Sequence, residues 1–106
     1  MRIETSLLTL DTFFNGRILV KQHRSGYRFS IDAVLLAAHV MPRSGDTVLD
    51  LGTGCGIIPL ILAYRYPQIR IYGAEIQQRL ADIANINVRE NRMADRISVL
   101  CTDMKD

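Results

Sequence analysis

Hydrophobic and polar positions divide this chain into short runs and longer periodic ones. Residues 9–14 and 17–22 are two short β-prone runs, and Asn15-Gly16 between them favours a two-residue hairpin turn. At Ile31 the spacing changes. Ile31, Val34, Leu35 and Ala38 repeat at i, i+3, i+4 and i+7, the stripe of a helix with one buried face. Ser30 is positioned as its N-cap and Asp32 as a first-turn acid, while Pro42 and Gly45 end it. Residues 47–51 are β-branched and apolar apart from Asp50, as in a strand covered on both faces. An apolar run at helical length then extends from Ile57 to Tyr66. It is apolar nearly all round, which suits a helix wedged between a sheet and another layer; Pro59 fits only its first turn and Pro67 stops it. Residues 69–75 read as a second strand, residues 77–91 as a third helix and residues 96–101 as a third strand. In the third helix Leu80, Ala84 and Val88 share one face with Ile83 beside them, and Arg79, Asp82, Arg89 and Glu90 lie outside. Asn85, Asn87 and Asn91 are weak helix formers; Asn91 suits a closing left-handed residue, and Asn87 is expected to bond neighbouring backbone.

The stretch that organises the chain is Asp50-x-Gly52-x-Gly54-x-Gly56, between the strand and the helix. Glycines at alternate positions admit positive φ and let backbone come close to a ligand. In dinucleotide folds the pattern is G-x-G-x-x-G, and the helix N-terminus receives a pyrophosphate. A carboxylate ahead of the glycines would repel a phosphate and suit a ligand with a cationic amino group. Glu75 ends the next strand, close to the ~20 positions beyond the glycine loop at which such folds place an acid for the ribose hydroxyls. Glu75 is equally placed for a simpler role as a helix N-cap or first-turn acid. Asp103, just after the third strand, falls at the same sheet edge and is placed to accept a hydrogen bond from an exocyclic amine.

Composition narrows the picture. With 106 residues, 48% apolar and 23% charged, the chain has the make-up of one ordinary globular domain. A net charge of +2 does not by itself indicate a nucleic-acid binder. No stretch reaches the ~18 apolar residues of a membrane helix, and the N-terminus carries no signal-peptide pattern. The expectation is a soluble, cytoplasmic protein without a membrane partner. Cys55 and Cys101 form no metal spacing; Cys55 fits the loop by its small size, and no partner base makes it a nucleophile. His23 and His39 form no ligand set, so no metal is expected. Arg17 at the hairpin tip, with Lys21, His23, Arg24 and Arg28 after it, allows two readings. One is a solvated hairpin capping an edge of the domain; the other is a basic lip, Arg17, Lys21, Arg24 and Arg28, that meets RNA phosphates.

Taken together, these residues resemble the class I S-adenosylmethionine-dependent methyltransferases. More narrowly, they resemble the bacterial enzymes that methylate N6 of adenosine beside the anticodon of valine tRNA, within the methyltransferase small-domain group. The narrower resemblance rests on residues 11–17 (Asp-Thr-Phe-Phe-Asn-Gly-Arg), on residues 26–36 (Gly-Tyr-Arg-Phe-Ser-Ile-Asp-Ala-Val-Leu-Leu) and on the loop from Val48 to Gly56. It implies an α/β Rossmann-like fold, cut after the third parallel strand, with an N-terminal hairpin and helix. Residues 1–29 would be the hairpin and lead-in, and residues 30–106 the first half of the cofactor domain. It implies S-adenosylmethionine bound by Asp50, Gly52, Thr53, Gly54, Gly56, Glu75, Ile76, Asp103 and Met104, with Ser30 and Asp32 facing the cofactor from the first helix. It also implies a tRNA partner for the full-length relative.

The family's catalytic Asn-Pro-Pro-Tyr or Asp-Pro-Pro-Tyr follows its fourth strand, where it holds the target amine and stacks on the flipped base. No Asn-Pro or Asp-Pro occurs in this chain, so no catalytic residue is assigned. The expectation is a truncated cofactor half-site, inactive alone, that self-associates to cover the edge left at residues 47–51. Glutamine methylation of a release factor, which shares the loop, is the alternative activity. A non-catalytic S-adenosylmethionine-binding fragment is the alternative class, and Asp50 argues against a nicotinamide-dinucleotide domain.

Overall fold

The structure, a computed structural model, describes residues 8–23 and 31–102, with the side chains of His23, Ile31, Asp32, Val34 and Leu35 outside that description. Strands β1 (Leu8–Phe13) and β2 (Ile18–His23) form an antiparallel hairpin, with Phe13 opposite Ile18 and Leu8 opposite His23. The turn is centred on Asn15-Gly16 as expected, with the Arg17 N–H donating to the Phe14 carbonyl at 3.2 Å. Phe14 is left-handed too, at φ 54, beside Asn15 at 56 and Gly16 at 81, so the ladder closes one pair earlier than the dipeptide alone requires. A bulky residue rarely adopts that conformation; here the Phe14 ring stacks on Tyr64 at 4.3 Å, which offsets the cost.

Helix α1 (Ile31–His39) is followed by the βαβαβ run β3 (Thr47–Leu51), α2 (Ile57–Arg65), β4 (Arg70–Glu75), α3 (Gln78–Glu90) and β5 (Ile97–Cys101). The three strands are parallel in the order β3-β4-β5, with Asp50 opposite Gly73 and Glu75 opposite Cys101. Parallel neighbours require crossovers, and the two helices supply them. Both pack on one face of the sheet, where Ile71, Ile97 and Val99 are buried. α2 is buried through Ile57, Pro59, Leu60, Ile61, Leu62 and Ala63, which matches a helix wedged between layers.

The second layer on α2 and α3 is the hairpin. Ile18 and Val20 of β2 are 1% and 0% exposed, so the hairpin is part of the core and not a solvated cap on a domain edge. Among the described residues β2 has no third strand beside it. Asn87 and Asn91 of α3 take that place, each bonding both the N–H and the C=O of one β2 residue. Asn91 is therefore not the left-handed residue that closes the helix. It sits at φ −92, and the positive φ falls on Arg92.

The strand expected to be covered on both faces is not. β3 is the edge of the sheet, and its burial alternates: Leu49 is 62% and Leu51 61% exposed, while Val48 and Asp50 are half-buried. Tyr72 and Leu100 continue the same open face on β4 and β5. Among the described residues no helix is long and apolar enough to cross a membrane.

Candidate functional site

The C-terminal ends of β3, β4 and β5 meet at one edge of the sheet, where ligands bind in open α/β folds. Gly52, Gly54 and Gly56 have φ of 70, 58 and 89 there, the left-handed values that the glycine spacing requires. The loop's N–H groups turn inward. Gly52 and Thr53 both donate to the Ala74 carbonyl at 2.8 and 3.1 Å, Gly56 donates to the Thr53 carbonyl at 2.9 Å, and Gly54 donates to Glu75 Oε1 at 2.9 Å. Four loop donors are thereby committed inside the protein, so the loop does not present the row of free N–H groups that cradles a pyrophosphate.

The mouth presents acceptors instead. Asp50, half-buried, accepts the Thr53 hydroxyl on Oδ2 at 2.7 Å. Burial raises its carboxyl above the ordinary 3.8; the Thr53 hydrogen bond opposes this, and the nearby Glu75 charge adds to the rise. Glu75 is buried, 5% exposed, and its Oε2 accepts the Gln77 N–H at 3.0 Å. Its expected roles coincide in part: it braces the start of α3, and through Oε1 it also holds the glycine loop. A carboxylate oxygen has about two lone-pair sites, so each Glu75 oxygen retains capacity for a hydroxyl donor. Ile76 follows, 54% exposed, at the lip of the mouth.

One residue of the site escaped the sequence reading. Gly73, in the middle of β4, faces the helix side, and a Cβ there would lie 3.0 Å from Thr53 Cγ2 and Oγ1. Gly73 makes room for the Thr53 side chain, which in turn holds Asp50. A glycine inside a strand marks such close approaches, and that signal was present in Tyr72-Gly73-Ala74.

The structure brings Asp50, Gly52, Thr53, Gly54, Gly56, Glu75 and Ile76 together. It does not bring Arg17 and Lys21 to them. Arg17 Nη1 donates to Tyr64 Oη at 3.4 Å near the end of α2, and Lys21 Nζ pairs with Glu90 at 2.9 Å at the end of α3. Both helices start at the glycine-loop edge and run away from it, and both cationic groups are engaged near the far ends of these helices. Ser30, Arg24, Arg28, Asp103, Met104 and the side chain of Asp32 lie outside the described residues. α1 packs along α2, with the Ala38 carbonyl accepting from Arg65 at 3.4 Å.

A parallel sheet of this order, with an acid-led glycine loop and a second acid at the next strand end, defines a Rossmann-like nucleoside-binding architecture of the class I methyltransferase kind. The chain belongs to the methyltransferase small domain family, whose model matches residues 25–106. Among curated relatives, the tRNA1(Val) (adenine(37)-N6)-methyltransferase of Porphyromonas gingivalis is 35% identical over 100 residues, 91% of this chain and 39% of the relative. The chain thus spans about two fifths of the length of such relatives. Among solved structures, a SAM-dependent methyltransferase from Geobacter sulfurreducens in complex with S-adenosyl-L-homocysteine aligns at TM-score 0.60 and 27% identity, covering 71% of this chain and 30% of that one. A Pyrococcus horikoshii protein described as a transferase shares the fold at TM-score 0.76, covering 92% of this chain and 37% of that one.

Proposed function

We propose that this chain is the cofactor-binding part of an S-adenosylmethionine-dependent methyltransferase acting on N6 of adenine in tRNA, in the cytoplasm. The observation that carries the cofactor assignment is the pair of acidic acceptors at the mouth. Asp50 and Glu75 stand at adjoining strand ends, close enough for the Glu75 charge to act on Asp50, while the N–H groups of Gly52, Thr53, Gly54 and Gly56 face inward. S-adenosylmethionine offers complementary donors, an ammonium, two ribose hydroxyls and an adenine amine, and it supplies a methyl group activated on a sulfonium sulfur. Asp50 orients the ammonium end, Gly52, Thr53, Gly54 and Gly56 let the backbone approach, and Glu75 accepts from the ribose. Ile76 offers apolar cover for the base, and Asp103 and Met104 complete the adenine end. The tRNA substrate is supported by the names of the curated relatives.

The exposed edge and face of β3 support a further partner, a second copy of this chain packed over Leu49, Leu51 and Leu100. Light scattering checks this: a mass of two chains supports it, and a monomer at every concentration removes it.

Calorimetric titration with S-adenosylhomocysteine, alongside Glu75→Gln, tests the cofactor site. The substitution replaces one acceptor with a donor, so affinity should fall by ~1–3 kcal/mol, the scale of a buried unsatisfied polar group. A folded protein that binds no S-adenosylhomocysteine contradicts the proposal.

A further inference from the structure

One buried amide joins the glycine loop to the hairpin. Asn87, in the last turn of α3, is 0% exposed. Its Nδ2 donates to the Cys55 carbonyl at 2.8 Å and to the Lys21 carbonyl at 2.9 Å, while its Oδ1 accepts the Lys21 N–H at 2.7 Å. Both donors of the amide are therefore in use, on two segments remote in sequence.

Cys55 stands between two left-handed glycines, where the backbone has the widest conformational choice. The peptide units before and after Cys55 are each held from outside the loop: Glu75 takes the Gly54 N–H, and Asn87 gives to the Cys55 C=O, whose own unit also donates through the Gly56 N–H to the Thr53 carbonyl. Asn91, one turn further along α3, supplies an internal comparison. It clamps Leu19 of β2 in the same way, at 2.8 and 2.6 Å, but its remaining bond returns to the Asn87 carbonyl of its own helix at 2.7 Å. The two asparagines match β2 because residues i and i+4 of a helix are ~6 Å apart along the axis, close to the ~7 Å between alternate strand residues. Only Asn87 reaches the loop.

We infer that Asn87 is a positioning residue for the ligand-binding loop, and that through it the docked hairpin and the loop form one coupled unit. The Asn87 amide holds the Cys55 carbonyl and Lys21 of β2 at once, so a change at either end reaches the other through it. The inference deepens the cofactor reading and rests on it for the ligand's identity.

Amide hydrogen exchange on the 106-residue protein reads the hold without any ligand. In Asn87→Ala the Gly54 amide keeps its bond to Glu75 but should exchange about tenfold faster, because the loop beside it loses the bond that holds the Cys55 carbonyl. In Asn91→Ala, which removes the clamp on Leu19 but leaves the Asn87 bonds in place, it should stay within about twofold. Calorimetry with S-adenosylhomocysteine should follow the same order, with about tenfold weaker binding for Asn87→Ala and little change for Asn91→Ala. In the unmutated protein, saturating S-adenosylhomocysteine should slow exchange of the Lys21 amide, because coupling between sites is reciprocal. This measurement decides the matter if Asn87→Ala does not fold. Equal acceleration of Gly54 in both variants, or a Lys21 amide indifferent to bound ligand, overturns the inference. Absence of binding by the unmutated protein sinks the cofactor assignment instead, and the Gly54 exchange rates still decide the role of Asn87.

Discussion

The two faces of the β3-β4-β5 sheet carry similar side chains in opposite surroundings. On the helix face Ile71 is 0%, Ile97 2% and Val99 7% exposed; on the other Leu49 is 62%, Leu51 61% and Leu100 59% exposed. Successive residues of a strand point to opposite faces, so one chain segment serves both environments at once. The helix face also carries the chemistry. Asp50, Gly73 and Glu75 share the parity of the buried residues, and each is tied to a neighbour there. Among the described residues the open face has no such commitments and presents apolar surface. Stability and the geometry of the candidate site are therefore concentrated on one side.

The contrast breaks most sharply under truncation of a core side chain. Ile71→Ala should cost ~2–5 kcal/mol, read by urea unfolding. Leu49→Ala, four-tenths buried at most in the single chain, should stay within ~0.5 kcal/mol at protein concentrations where the chain is monomeric. Comparable losses at the two positions under those conditions would mean that the open face is covered within the monomer. A smaller effect is expected from Gly73→Ala, whose Cβ meets the Thr53 side chain at 3.0 Å. Overpacking of this kind costs ~1–3 kcal/mol, and displacement of Thr53 should weaken S-adenosylhomocysteine binding as well. An unchanged affinity in a folded Gly73→Ala protein would separate Thr53 from the ligand site.

Asp50 sharpens the comparison in the other direction. Its carboxyl is raised by burial above 3.8, so the folded state holds the proton more tightly than the unfolded chain does. Its contribution to stability is then fully present below the unfolded pKa, near 3.8, and is lost as pH rises through the raised folded value. Asp50→Asn keeps an acceptor for Thr53 and removes the buried charge. It should be more stable than the unmutated protein at neutral pH, with the gain shrinking to nothing on acidification, while ligand binding is lost. Thermal melts across pH with matching titrations check both parts. The smallest expected change in stability belongs to the open face. Leu49→Lys with Leu100→Lys should alter unfolding by less than ~1 kcal/mol yet abolish self-association in light scattering.

Much of this was legible in the residues. The glycine spacing set the turn, and Gly52, Gly54 and Gly56 take the left-handed conformations it required. Glu75 was placed by its position at a strand end, and the all-apolar α2 correctly implied two neighbouring layers. Local rules suffice in these cases because φ preference, strand period and helix period act within a few residues. Asn87 was legible as a poor helix former that would bond backbone, but not which backbone, since its partners on Lys21 and Cys55 lie far away along the chain. The hairpin's charges suggested a surface role for the element, yet Ile18 and Val20 bury it against the helices.

The sequence by itself determined which segments are strands and helices, that the glycine loop turns left-handed, and that two acids stand at adjoining strand ends. Only the tertiary structure decided that β3 is an edge, that its Leu49 and Leu51 face outward, and that an asparagine on α3 reads both the hairpin and the loop. The reason is physical. Periodicity fixes which side chains share a face, but burial depends on what packs against that face, and a hydrogen bond between remote segments exists only once both have been brought together.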